Sequence, residues 1–396
     1  MKCVLSLLIC LAMASCTNAA RSSAKPPATM AEPVTDTVHG VEIVDDYRWL
    51  EGDNSNPKEQ GKVTPEVAAW TDAQNAYTRS IVDNLPDRQA LEARLRPLME
   101  VGAVSAPTVR GNRYFFSKRE GIQNQPVVYW REGYKGETKE LIDPAKLDGS
   151  GLTTVTWISP STDGKLLSYG TYRAGDENTT LHLIDVDTGT VQPLEIPNKT
   201  QAPDWLPDGS GFVYQNLKDA KDPYSGRVLF HRTGTDPSTD AVLYRQFTEA
   251  ENAKLATTWG PFGSLSRDGR WLVLGYFVDT RSNDLWIVNF DDYRKSGTIA
   301  RQEVTVGDEG QALGTVIGAT LFLQTTKGAP KGRVVAVDAA RPGKAHWREI
   351  VPERQDAVIQ AVAFAKGAIA VTYLKNASNL VQIGRASCRE RVYDLV

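Results

Sequence analysis

Between residues 17 and 387 the chain contains no cysteine. Disulfides, thiolate metal sites and a cysteine nucleophile are therefore excluded from nearly all of it. A basic excess is missing too. The formal net charge is −3, whereas a nucleic-acid footprint needs Lys and Arg gathered on one face. Past the N-terminus no stretch approaches the ~20 consecutive apolar residues of a membrane helix. No serine has glycine at both −2 and +2, so the strand-to-helix elbow that presents a hydrolase serine is absent. Ser150 and Ser210, each between two glycines, read as loop residues beside hairpins. The histidines are His39, His182, His231 and His346, and no two stand at metal-ligand spacing. His182 and His231 fall within predicted strands, where a packed histidine is the expectation.

Other candidate motifs reduce to turns and surface. Asp185-Val186-Asp187-Thr188-Gly189 begins like a calcium loop, but Ile196 occupies the position that needs a bidentate Glu. A strand, a turn and a strand account for it. The adjacent acids Asp45-Asp46 and Asp291-Asp292 read as solvated surface. Asn178, Asn198 and Asn376 match the glycosylation tripeptide, a short pattern that arises often by chance. No catalytic, cofactor-binding or metal-binding residue is expected, and no cofactor.

What is present is a repeat. Ser161-Thr162-Asp163-Gly164 leads into Leu166-Leu167-Ser168-Tyr169, and Pro207-Asp208-Gly209 into Phe212-Val213-Tyr214. Ser266-Arg267-Asp268-Gly269 leads in turn into Trp271-Leu272-Val273-Leu274. Asp-Gly suits a tight hairpin turn because glycine adopts positive φ freely and the Asp side chain bonds its own backbone two residues on. Strand pairs recur in six stretches from residue 108 onward, each of roughly 45–50 residues, the size of one propeller blade. The sixth begins at Ala357.

The N-terminus has a different character. Lys2 precedes an apolar run over residues 4–14, the layout of a bacterial secretory signal over residues 1–19. Met13-Ala14-Ser15-Cys16 resembles a lipobox that would leave Cys16 lipidated. Thr17-Asn18-Ala19 offers ordinary cleavage instead. Either way the protein is expected to be exported, to the periplasm or as a membrane-anchored lipoprotein. Residues 20–32 read as a flexible tether. Residues 33–101 form a segment of their own, with a helix N-capped by Thr64 and opened by Pro65. A second helix from Asp87 is expected to bury Leu91, Leu95 and Leu98. Two such helices cannot make a core alone and require a partner surface.

Several stretches together resemble the prolyl oligopeptidase family of serine peptidases. They are Asp46-Tyr47-Arg48-Trp49-Leu50-Glu51, then Ala73-Gln74-Asn75, then Arg113-Tyr114-Phe115-Phe116 with Gly121-Ile122-Gln123-Asn124-Gln125-Pro126-Val127-Val128-Tyr129. His346-Trp347-Arg348-Glu349-Ile350-Val351-Pro352-Glu353 completes the set. The resemblance runs in order from about Val38 to Gln382. It implies a mainly β chain: a seven-bladed-type β-propeller with about five and a half blades present, over residues 102–382. The segment 33–101 would then belong to a missing α/β-hydrolase domain. The propeller of that family covers the active site and admits short peptides, which are cleaved after proline without a metal or cofactor. Its Ser, Asp and His lie beyond the propeller, so none is assigned here and the chain alone is expected to be inactive.

From residue 383 a polar, Arg-rich run replaces the strand pattern, and its back-translation resembles sequencing-adapter DNA. Residues 383–396 are accordingly expected to be a non-native tail. The expected partners are proline-containing oligopeptides, with no nucleic acid, a possible lipid anchor at Cys16, and a monomeric state. The alternative function is a non-enzymatic periplasmic propeller acting as an interaction module.

Overall fold

The computed structural model describes residues 25–56, 61–365, 367–385 and 393–394. The signal segment with Cys16, and residues 386–392 of the expected tail, lie outside the described residues. The chain divides into two compact units, Met1–Val101 and Gly102–Val396.

In the first unit Val34–Val38 pairs with Val41–Asp45 across a turn in which His39 and Gly40 both have positive φ. Arg48 ties this hairpin to the next turn. Its Nη2 lies 2.6 Å from Asp36 Oδ2 and its Nε 2.9 Å from Asp45 Oδ2. The Tyr47 backbone N–H and the Arg48 guanidinium together hold the Asp45 carboxyl below the usual carboxylate range. The Asp-x-x-Arg run is thus a structural clamp. Helix α1 (Pro65–Val82) begins as expected, with Thr64 Oγ1 accepting the Val67 N–H at 3.3 Å. Trp49 meets Trp70 of α1 edge-on at 6.4 Å. Their indole N–H groups donate to Met30 O and Thr29 Oγ1, which fixes part of the stretch expected as a tether. Helix α2 (Arg88–Met99) follows. Its Leu91, Leu95 and Leu98 are 56%, 45% and 64% exposed, because no described element of this unit covers that stripe.

The second unit is mainly β, a propeller of six antiparallel sheets built in chain order. Their innermost strands are Thr108–Arg110, Thr153–Pro160, Asp204–Trp205, Gly260–Leu265, Ala312–Ile317 and Val358–Ala365. The sixth blade is not cut short as expected. Ser378–Arg385 runs past residue 382, and Tyr393–Asp394 pairs with it as a fourth strand. A two-residue strand is too short to show a period, so the sequence could not announce it.

The second to fifth blades bury both of their faces against neighbours, which explains why their strands read as continuous apolar runs instead of alternating ones. On Gly211–Leu217, Phe212 and Tyr214 pack towards Leu181 and Leu183 of the second blade. Val213, between them, packs towards Leu272 and Leu274 of the fourth. Similar clusters join the first blade to the second, the fourth to the fifth and the fifth to the sixth. Inside the third blade, His231 Nδ1 lies 2.9 and 3.1 Å from the two Asp240 carboxylate oxygens, and the Tyr214 hydroxyl donates to Asp240 Oδ2 at 2.9 Å. His231 and Asp240 side chains are essentially inaccessible. Burial and the Asp240 charge push the Tyr214 phenol well above its ordinary pKa.

The Asp-Gly turns follow the inner strands of the second, third and fourth blades. Gly164, Gly209 and Gly269 have φ of 70°, 69° and 73°. In the second and fourth blades the Ser hydroxyl donates to the Asp carboxylate and accepts an N–H from the returning strand. Neighbouring turns also interlock. A Cβ on Gly269 would meet Pro207 Cδ of the preceding blade at 2.7 Å, whereas one on Gly209 would meet nothing within 4 Å.

Two predictions follow from these contacts. Gly209→Ala should cost about 1 kcal/mol of stability from positive φ alone, and Gly269→Ala about 2–3 kcal/mol because overpacking against Pro207 is added. Chemical denaturation of the two variants should reproduce that order. In the buried triad, Tyr214→Phe should cost about 1–2 kcal/mol, and Asp240→Ala about 3 kcal/mol because two polar partners are stranded. The same denaturation measurement reads both.

Candidate functional site

The six inner strands surround a central cavity of about 630 Å³. Its walls come from the ends of these strands and from the turns that follow them, so the Asp-Gly register decides what faces it. Thr162 and Arg267 occupy the same position, between Ser and Asp, in two of the turns, and both line the cavity. Arg110 closes the short inner strand of the first blade, just before Gly111 turns the chain back.

Adjacent inner strands are fastened to one another around this space. Ser159 Oγ donates to Pro203 O at 2.8 Å, and Trp205 Nε1 returns a hydrogen bond to Ser159 O at 3.0 Å. Asp204 Oδ2 accepts the Leu265 N–H at 2.9 Å, a side chain standing in for a ladder bond between the third and fourth blades. Burial raises the Asp204 pKa, opposed by that N–H, by the Ser264 hydroxyl and by the charge of Arg110. Arg110 is pushed down from its ordinary value by burial first and by the like charge of Arg267 second.

The wall holds no catalytic set. No histidine lines it, and the Ser159 hydroxyl is committed to a backbone carbonyl. Among the described residues no cluster of His, Cys, Asp or Glu could hold a metal. The histidines singled out in the sequence stay in structural roles. His231 is buried beside Asp240 as above, with the Phe212 ring 4.9 Å away. His182 stacks on Tyr169 at 5.2 Å, its Nε2 2.9 Å from Thr171 Oγ1, and burial lowers its pKa. Ser150 and Ser210 cap their own turns through Asp148 and Asp208. Asp185 Oδ1 accepts the Thr188 N–H at 2.8 Å, so that stretch is a turn. Asn376 and Ala377 both have positive φ and join Ala368–Lys375 to Ser378–Arg385 as a two-residue hairpin turn, which accounts for that tripeptide. Sequence reasoning missed Arg110 and Arg267. The signal for Arg267 was its place in the repeated turn, where Thr162 marks a wall position.

Comparison with known proteins assigns the fold. The sequence profile of the prolyl oligopeptidase N-terminal beta-propeller domain matches residues 26–394. A prolyl endopeptidase from Elizabethkingia miricola is 26% identical over 375 residues, which cover 91% of this chain and 49% of that protein. The dual function macrocyclase-peptidase POPB of Amanita bisporigera is 27% identical, with 87% of this chain and 49% of that protein covered. Among solved structures, one from a study of two prolyl endopeptidases and their inter-domain dynamics superposes with a TM-score of 0.82 at 31% identity. It covers 94% of this chain and 53% of its own. Prolyl oligopeptidase B from Galerina marginata, bound to a 35mer hydrolysis and macrocyclization substrate, gives 0.76 at 24% identity, covering 91% and 52%. The chain spans about half the length of the curated relatives it matches. It belongs to the prolyl oligopeptidase family, as the N-terminal β-propeller domain.

Proposed function

We propose that this chain is the N-terminal segment and gating propeller of an exported serine endopeptidase that cleaves short peptides after proline. The observation that carries the reading is the match to the family's propeller domain along nearly the whole chain, while the curated relatives are about twice as long. The remaining half would supply a serine on a strand-to-helix elbow, a histidine base, an aspartate to orient it and an oxyanion hole. Acyl transfer by that set needs no metal or cofactor. The propeller's part is access, through the cavity ringed by its inner strands.

Two surfaces support the proposal of a larger protein. The leucine stripe of α2 is exposed and suits the hydrolase domain as partner. On the sixth blade Val381 pairs with Thr372 and Leu374 with Asn379, so Val381 and Leu374 share one face, and each is about 40% exposed. A seventh blade that closes the ring would cover that face. Export rests on the signal-like residues 1–19, with Cys16 as the anchor if the lipobox is used.

Sequencing the gene across and beyond residue 382 tests the architecture. The expected result is native sequence in place of the adapter-like tail, then one more blade, a serine elbow, an Asp and a His. A stop codon after one further blade would leave the interaction-module reading instead. The complete protein should hydrolyse proline-containing peptides on the carboxyl side of proline, and the 396-residue chain alone should show no turnover in the same assay.

A further inference from the structure

The charges at the Asp-Gly end of the propeller are unequally shared. Most acids there have a cation of their own. Asp187 pairs with Arg113 at 2.7 Å, Asp268 with Arg270 at 2.8 Å, and Asp208 lies 3.5 Å from Arg294. The central cavity at that end is different. The titratable groups on its wall are Arg110, Arg267 and Asp204. Asp204 accepts the Leu265 N–H and feels the Arg110 charge, but among the described residues no ion pair engages either arginine. Arg110 Nη1 reaches only the carbonyl of Val109, at 3.1 Å. Two guanidinium groups from opposite parts of the ring therefore face one space in a chain whose overall charge is negative. Ile317, Val362 and Phe364 supply apolar wall beside them.

We propose that this end of the cavity is an anion site for peptide carboxylates, formed by Arg110 and Arg267, and that it favours acidic peptides over neutral ones. Guanidinium suits the task because its planar donors match a carboxylate and its charge persists at any working pH. Low-dielectric walls focus the field of the two cations into the opening, which raises the local concentration of anionic ligand and its rate of entry. The proposal rests on the reading of this propeller as the gate of a peptidase, and it names the class of peptide the gate selects.

Binding and turnover test it separately in the complete protein. The probes are a fluorescein-labelled Gly-Ala-Ala-Glu-Glu peptide, which has no proline to cleave, and its Gly-Ala-Ala-Gln-Gln amide counterpart. Fluorescence anisotropy at low and high salt should give about fivefold or tighter binding of the acidic peptide at low salt, the scale of two exposed ion pairs. High salt should erase most of the difference. R110Q/R267Q should lose the preference, and R110K/R267K, which keeps both charges, should retain most of it. Equal binding of the two peptides, a preference unchanged in R110Q/R267Q, or retention of inorganic phosphate alone with no peptide preference would overturn the proposal. A protein that prefers the acidic probe yet cleaves no proline peptide upholds the site and overturns the peptidase reading. One that cleaves neutral proline peptides with no acidic preference does the reverse.

Discussion

Everything in the propeller depends on blades packing face to face. An interior four-stranded sheet has two apolar faces here, and a neighbouring blade covers each. Phe212 and Tyr214 lean on the second blade while Val213 between them leans on the fourth, so each blade is stable only between neighbours. This is the nearest-neighbour logic of repeat proteins, in which stability is a sum over interfaces instead of a property of one core. It also fixes where function can sit. Once the faces are committed to packing, the inner strand ends and the turns after them are what remain to face the central space, and Arg110, Thr162, Asp204 and Arg267 occupy them.

Much of this was legible in the sequence. The Asp-Gly turns declared themselves through residues that must bond their own backbone and adopt positive φ, and all three fall after inner strands of consecutive blades. Thr64 and Pro65 announced the start of α1. Blade boundaries could be read because hairpin chemistry is local. The helix α2 leucines were legible only in part. Apolar periodicity says that a face seeks a partner, and it cannot say whether that partner lies in the same stretch of chain. Tyr393–Asp394 was invisible because pairing across a sheet leaves no mark on two residues.

The cavity was harder to foresee. A lone arginine in a turn, or at the end of a three-residue strand, looks like solvated surface in the sequence. Only the closing of blades around an axis brings Arg110 of the first blade and Arg267 of the fourth to one space. The His231–Asp240–Tyr214 group teaches the converse: a His–Asp pair with catalytic geometry can be pure scaffold when it is sealed inside a blade. Exposure, more than residue type, separates the two cases.

The central claim is that α2 and the leucine stripe it presents belong to a protein about twice this length. Hydrogen–deuterium exchange compares this most directly, with the amides of Arg88–Met99 followed in the 396-residue chain and in the complete protein. An isolated amphipathic helix of this length is marginal in water, so fast exchange in the short chain and strong protection in the complete protein are predicted. Equal protection in both would contradict the account, because α2 would then already have every partner it needs.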